Sequence, residues 1–258
     1  PAQYQNALKG KTLGMWFEKP SLRTRVSFEA GMGQLGGTSV YLSMDTLHGT
    51  KASLRDEIRC LSRYVHCLCA RVYDHQTILD MATWTGSVPV INALSDKHHP
   101  CQALADLMTV WETFPDPKKS TMAFVGDGNN VCNSLVLVAK KLGVNTRVAT
   151  PDAFRPMIQP DFWTDNPIEA VEGADVVYTD VWVSMGEEKQ AQEKERVFKP
   201  YQVNESLLKT KYFMHCLPAI RGKEVTDAVI DGPKSLVFQQ AENRLHAQKA
   251  LLMKLVGA

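Results

Sequence analysis

Apolar residues fall along this chain in short runs, each closed by a polar break and followed by a segment with helical spacing. The first run, residues 13–17, reads as a buried strand. Glu18-Lys-Pro20 ends it, and Ser21 follows as a helix cap. Val26, Ala30 and Leu35, with Phe28 and Met32 close by, then predict a helix that Gly36-Gly37 stops. Strands are predicted next over 38–42, 65–73 and 88–94, and helices over 53–63, 75–85 and 100–114. After the Pro115–Ser120 linker the alternation resumes. Strands are expected at 121–125, 146–149, 174–181, 212–217 and 236–239. Helices are expected from the Gly126–Asn130 loop to Leu142, over 187–198 (charged and exposed) and over 241–256, with helical turns at 169–172 and 224–230. Residues 152–166 read as irregular.

Strands alternating with helices predict an α/β protein of two domains, each a mostly parallel sheet flanked by helices. The expected divisions are a first domain over 1–115, a second over 116–240, and a closing helix, 241–258, that packs back on the first. In open parallel sheets ligands lie beyond the carboxyl ends of the strands. The reactive and polar clusters fall at such ends, so an active site is expected in the cleft between the domains.

Composition narrows the picture. Hydrophobic residues make up 44% of 258, enough for a sizeable core, and the net charge of +1 gives no sign of nucleic-acid or anionic-membrane binding. No apolar run approaches the ~20 residues of a membrane span. The polar first eleven residues do not read as a signal peptide. Six scattered cysteines suit reduced thiols and a cytoplasmic location. Cys67 and Cys69 point to one face of a strand, as core packing, with no second pair at metal-ligand spacing, so no metal is expected.

Candidate chemistry concentrates at Ser21-Leu-Arg-Thr-Arg25, where two hydroxyls and two guanidiniums crowd the first turn of a helix. A helix N-terminus attracts anions, and arginine's fork matches phosphate oxygens. A phosphate-bearing small molecule is expected there. Gly126-Asp-Gly-Asn-Asn130 fails the dinucleotide pattern, because Val131 replaces its third glycine, so no nicotinamide cofactor is expected. The asparagines suit a substrate carboxylate instead. His99 and Gln102 offer polar contacts to a carbonyl or amide, and Asp180 suits a substrate ammonium. Neighbours in a strand face opposite ways, so His215 and Cys216 are not expected to form a nucleophile–base dyad.

Taken in order, Ser21-Leu-Arg-Thr-Arg25, His99-Pro-Cys-Gln102, Asp180-x-x-x-Ser184-Met-Gly186, His215-Cys-Leu-Pro218 and Ala241-Glu-Asn-Arg244 resemble the motifs of the aspartate/ornithine carbamoyltransferase family, over nearly the whole chain. The last two strand-end motifs point to ornithine as the acceptor. The resemblance implies that Ser21, Leu22, Arg23 and Thr24 hold the phosphate of carbamoyl phosphate. It implies that Arg71, His99 and Gln102 address the carbamoyl group, with the main chain at Cys216 and Leu217 and the Arg244 side chain completing the site. Asn130, Asp180, Ser184 and Met185 would hold ornithine, with Arg71, His99, Asp180 and Cys216 in catalytic roles. Citrulline and phosphate would be the products, formed as the domains close, without metal or organic cofactor and in a homotrimer or multiple of trimers. Leu22 stands where a threonine is usual and Leu47 where many members carry a glutamine. The family also has a helical segment before the start of this chain and a longer region around 152–166. The alternatives are a sibling enzyme acting on putrescine or a modified ornithine, and a weakly active binding or regulatory homologue.

Overall fold

Strand β1 (Thr12–Phe17) is buried over its last five residues because it lies inside a sheet with helices on both faces. The computed structural model describes residues 2–43, 53–184 and 188–257; Leu47, Met185, Gly186 and most of the loop after β2 lie outside them. Two compact units result, one formed by Pro1–Cys101 with Arg244–Ala258, the other by Gln102–Asn243.

In the first unit β1 pairs in parallel with β2 (Thr38–Leu42) and β3 (Cys67–Arg71), and β3 with β4 (Val90–Leu94), in the order β2-β1-β3-β4. Alternation then sorts the side chains. Leu13, Met15 and Phe17, with Cys67 and Cys69, pack on Phe28 and Met32 of α1 (Leu22–Gln34) and on Leu252 of the closing helix. Trp16, Leu68 and Ala70 face Ile58 of α2 (Leu54–Leu61) and Ile78 and Met81 of α3 (His75–Trp84). The two cysteines do share one core face. Helix α1 buries Thr24, Phe28 and Met32, four residues apart, and leaves Val26 half exposed, because Val26 and Ala30 fall two residues on, toward the opposite face.

The second unit has the order β7-β6-β5-β8-β9, all parallel, from β5 (Thr121–Val125), β6 (Asn145–Ala149), β7 (Phe162–Thr164), β8 (Val176–Thr179) and β9 (Tyr212–His215). Met122, Phe124, Tyr178 and Met214 pack on α4 (Pro100–Thr113) and α5 (Asn130–Leu142). Ala123, Val125, Val177 and Phe213 face α6 (Pro167–Val171), α7 (Ala191–Phe198) and α8 (Asp227–Ile230).

The compact units divide inside α4, at 101/102, with Leu107 and Val110 of α4 in the second unit's core. Three expectations are corrected. The stretch 236–239 is not a strand: only Leu236 bonds to β9, through Phe213 O, and α9 (Val237–Val256) begins one residue later. The region 152–166 contains β7, an edge strand too short to show a period. Helix α7 is not wholly exposed, since Lys194 and Phe198 are buried.

All strands of each sheet run one way, so their carboxyl ends share an edge. The chain order reverses between β1 and β3 in one unit and between β5 and β8 in the other. Those are the positions where open parallel sheets leave a crevice. Among the described residues no helix is long and apolar enough to cross a membrane.

Candidate active site

Residues singled out from the sequence lie at these strand ends in each unit. In the first unit Ser21 caps α1 from an extended backbone, its Oγ accepting from the Thr24 N–H at 3.3 Å. Thr24 is buried in the first turn, and its Oγ1 accepts from Arg244 Nη2 at 3.2 Å. Arg244 also donates twice to Gln248 Oε1, at 3.1 and 2.9 Å, and Gln248 donates to Ser27 at 2.8 Å. The start of α9's unit-one half is thereby fastened to the start of α1. Arg71 is buried at the end of β3, and His99 lies just before α4. Arg25 does not join them. It pairs with Glu29 at 3.0 Å and lies over the Tyr41 ring at 3.8 Å. Leu22 is 74% exposed, so that position can offer the site only its main chain.

Positive charge gathers around His99, beside this turn. Burial first, then Arg244, Arg71 and Arg23, hold the His99 imidazole well below its ordinary range. All three guanidiniums lower the ring's affinity for a proton, and two of them, Arg71 and Arg244, are buried. Gathered cations are costly, and an incoming anion relieves that cost. The neutral ring makes a prediction. His99 stays unprotonated in the fold but takes up a proton in the unfolded chain below pH ~6.5. Its contribution to stability is therefore constant above that pH and falls below it, by at most ~1.4 kcal/mol per pH unit. Denaturant midpoints measured from pH 8 to 5 should show this slope, and His99→Gln should flatten it. Identical slopes in the two proteins would refute the assignment.

In the second unit Asp180, just past β8, is the centre. Its Oδ1 accepts from Cys216 Sγ at 3.0 Å and its Oδ2 from Asn129 Nδ2 at 2.9 Å. Asn129 Oδ1 meanwhile caps α5 by accepting from the N–H groups of Val131 and Cys132. Asn130 is the first residue of α5, and Ser184 lies four residues past Asp180, half-buried. Gly128 is required by close approach: a Cβ there would lie 2.4 Å from Phe154 O and from Pro156 N. Asp127 instead binds the buried Lys194 at 2.7 Å.

The His215 ring bonds to Leu217 and Glu224. Its Nδ1 accepts from the Leu217 N–H at 2.9 Å, so its Nε2 carries the hydrogen and faces Glu224 Oε1 at 3.3 Å. This bond holds Leu217 at φ 56, a left-handed conformation rare for a non-glycine residue, before a cis Pro218. Asp180, His215 and Cys216 bring one metal-capable donor atom each within 4.8 Å. Both His215 nitrogens are already engaged there, so a cation would have to displace one of those bonds. Gln102 is buried, and its Nε2 donates to Asp106 at 2.8 Å.

Asp106 and Glu224 were not singled out from the sequence, and both meet partners that only the fold reveals. Asn129, read with Asn130 as a contact for a substrate carboxylate, caps α5 with its side-chain oxygen instead.

Known proteins agree with this layout. The description "aspartate/ornithine carbamoyltransferase, carbamoyl-P binding domain" matches residues 1–112, and "Asp/Orn binding domain" of the same family matches 118–255. The chain is 51% identical to an ornithine carbamoyltransferase of Pyrococcus horikoshii, over 97% of this chain and 84% of that one. The solved ornithine carbamoyltransferase of Pyrococcus furiosus superposes with a TM-score of 0.91 at 50% identity, over 96% and 85% of the two chains. That of Thermus thermophilus gives 0.90 at 45% identity, over 98% and 89%. With its motifs in order and both halves matched, the chain belongs to the aspartate/ornithine carbamoyltransferase family.

Proposed function

We propose that this chain transfers the carbamoyl group of carbamoyl phosphate to the δ-amine of L-ornithine, giving L-citrulline and phosphate. The observation that carries the reading is the Ser21-capped turn of α1, which carries Arg23 and the buried Thr24, with the buried Arg244 bonded to Thr24 Oγ1. A small dianion fits that cationic turn.

In this reading the Ser21 and Thr24 hydroxyls, the Arg23 guanidinium and the main chain at Leu22 hold the phosphate. Arg71, His99 and Gln102 contact the carbamoyl group, with Arg244 and the main chain of Cys216 and Leu217. Thr24, Arg71 and His99 stabilise charge growing on the carbonyl oxygen. A neutral His99 still carries one ring N–H to donate as a hydrogen bond to this oxygen. Asn130, Asp180, Ser184 and Met185 hold ornithine. An amine with an ordinary pKa near ~10.4 must be deprotonated before it attacks. Asp180, steadied by Cys216 and Asn129, is placed to receive and orient it. The amine nitrogen bonds to the carbamoyl carbon, the C–O bond to phosphate breaks, and the amine's surplus proton leaves with the phosphate. Each of these steps uses the chain's own residues. We place the protein in the cytoplasm, as a homotrimer or a multiple of trimers.

The test is carbamoyl transfer from carbamoyl phosphate, read as the ureido product, with ornithine, N-acetylornithine, putrescine and aspartate as acceptors. Turnover with ornithine above the others is expected. Turnover only with putrescine or the modified ornithine, or with none, would overturn the reading.

A further inference from the structure

Asp106 lies one turn beyond Gln102 on α4 and is wholly buried. Its Oδ1 accepts from Gln102 Nε2 at 2.8 Å and from Gln240 Nε2 at 2.7 Å. Its Oδ2 accepts from the Tyr178 hydroxyl at 3.2 Å. Gln240 is fixed in turn, because its Oε1 accepts from the backbone N–H of His215 at 2.9 Å. The carboxylate is therefore held from three sides, by groups on β8, α4 and α9.

We propose that Asp106 is a positioning residue that decides which end of the Gln102 amide is offered to the carbamoyl group. This rests on the reading of Gln102 as a carbamoyl contact. Only the NH2 end of an amide can donate to a carboxylate oxygen. With that end committed to Asp106, the carbonyl oxygen of Gln102 is turned the other way. The carbamoyl NH2 is a donor and needs an acceptor, and the fixed amide supplies one. An amide free to flip would present NH2 to NH2 part of the time, and a donor facing a donor in a buried site loses its bond outright. Gln240 and Tyr178 keep Asp106 from following Gln102 if that side chain turns.

The experiment compares Asp106→Leu with Asp106→Asn by calorimetric titration with carbamoyl phosphate and, separately, inorganic phosphate. Asp106→Leu should weaken carbamoyl phosphate about tenfold and leave phosphate within about twofold. Asp106→Asn, whose side-chain oxygen still accepts from both glutamines, should restore carbamoyl phosphate affinity to within about threefold. In a Gln102→Ala background Asp106→Leu should add less than about twofold, because the residue acts through Gln102. If Asp106→Leu does not fold, Asp106→Thr takes its place in every arm. The proposal fails if carbamoyl phosphate and phosphate weaken together, if neither weakens, or if the full loss persists without Gln102. A wild type that makes no citrulline overturns the functional reading, and this inference with it. An active wild type with an indifferent Asp106 overturns this inference alone.

Discussion

Arg23→Ala should lower carbamoyl phosphate affinity by about two to three orders of magnitude and cost the fold less than about 0.5 kcal/mol. The two numbers come from one placement. Arg23 is the second residue of α1, where a cation opposes the helix dipole, so its removal relieves the empty protein. With Arg71 and Arg244, it is one of the three guanidiniums that depress the His99 imidazole. A guanidinium that forks onto phosphate oxygens and is desolvated by the ligand carries ~2–5 kcal/mol of binding. Titration calorimetry with carbamoyl phosphate, beside thermal unfolding of both proteins without ligand, checks both halves. Wild-type affinity in the variant would remove the cationic turn from the site.

Asp180→Asn should raise the KM for ornithine by roughly a hundredfold or more while carbamoyl phosphate affinity, measured without ornithine, moves less than about threefold. The variant changes shape very little. It removes the charge that meets an ammonium, and it breaks a match: Asp180 accepts from Cys216 on one oxygen and from Asn129 on the other. Asparagine must turn its own NH2 toward one of those donors, so one bond is lost whichever way it sits. Initial rates with ornithine varied at saturating carbamoyl phosphate give the first number. Equal weakening of both substrates would refute the assignment of Asp180 to ornithine.

Much of this was legible in the sequence because the signals were local. The run before Glu18 is a strand because it is apolar throughout, and Ser21 begins α1 because a hydroxyl can accept from the N–H three residues on. The clusters at the ends of β1, β3, β5, β8 and β9 could be read as one set because parallel strands put them on one edge of each sheet. What escaped depends on distant partners. Val26 and Phe28 are both apolar, and only the sheet beneath α1 decides which is buried. Lys194 in a run of charges looks solvated until Asp127, 67 residues away, meets it. The apolar run after Ser235 suits a strand by composition, yet α9 takes it, leaving Phe238 exposed while Val237 enters the core. Arg25 looked like a twin of Arg23, but Glu29 and the Tyr41 ring claim it.

The side chain of Asn129 narrows what evolution can write at its position. Serine, threonine and aspartate start helices as well as asparagine does, and any of them would serve α5. None combines an acceptor for the helix with an N–H donor of the same reach for Asp180, and aspartate would set two like charges face to face and force them to share a proton. Of the ordinary helix starters, the vocabulary at this position is reduced to a single word.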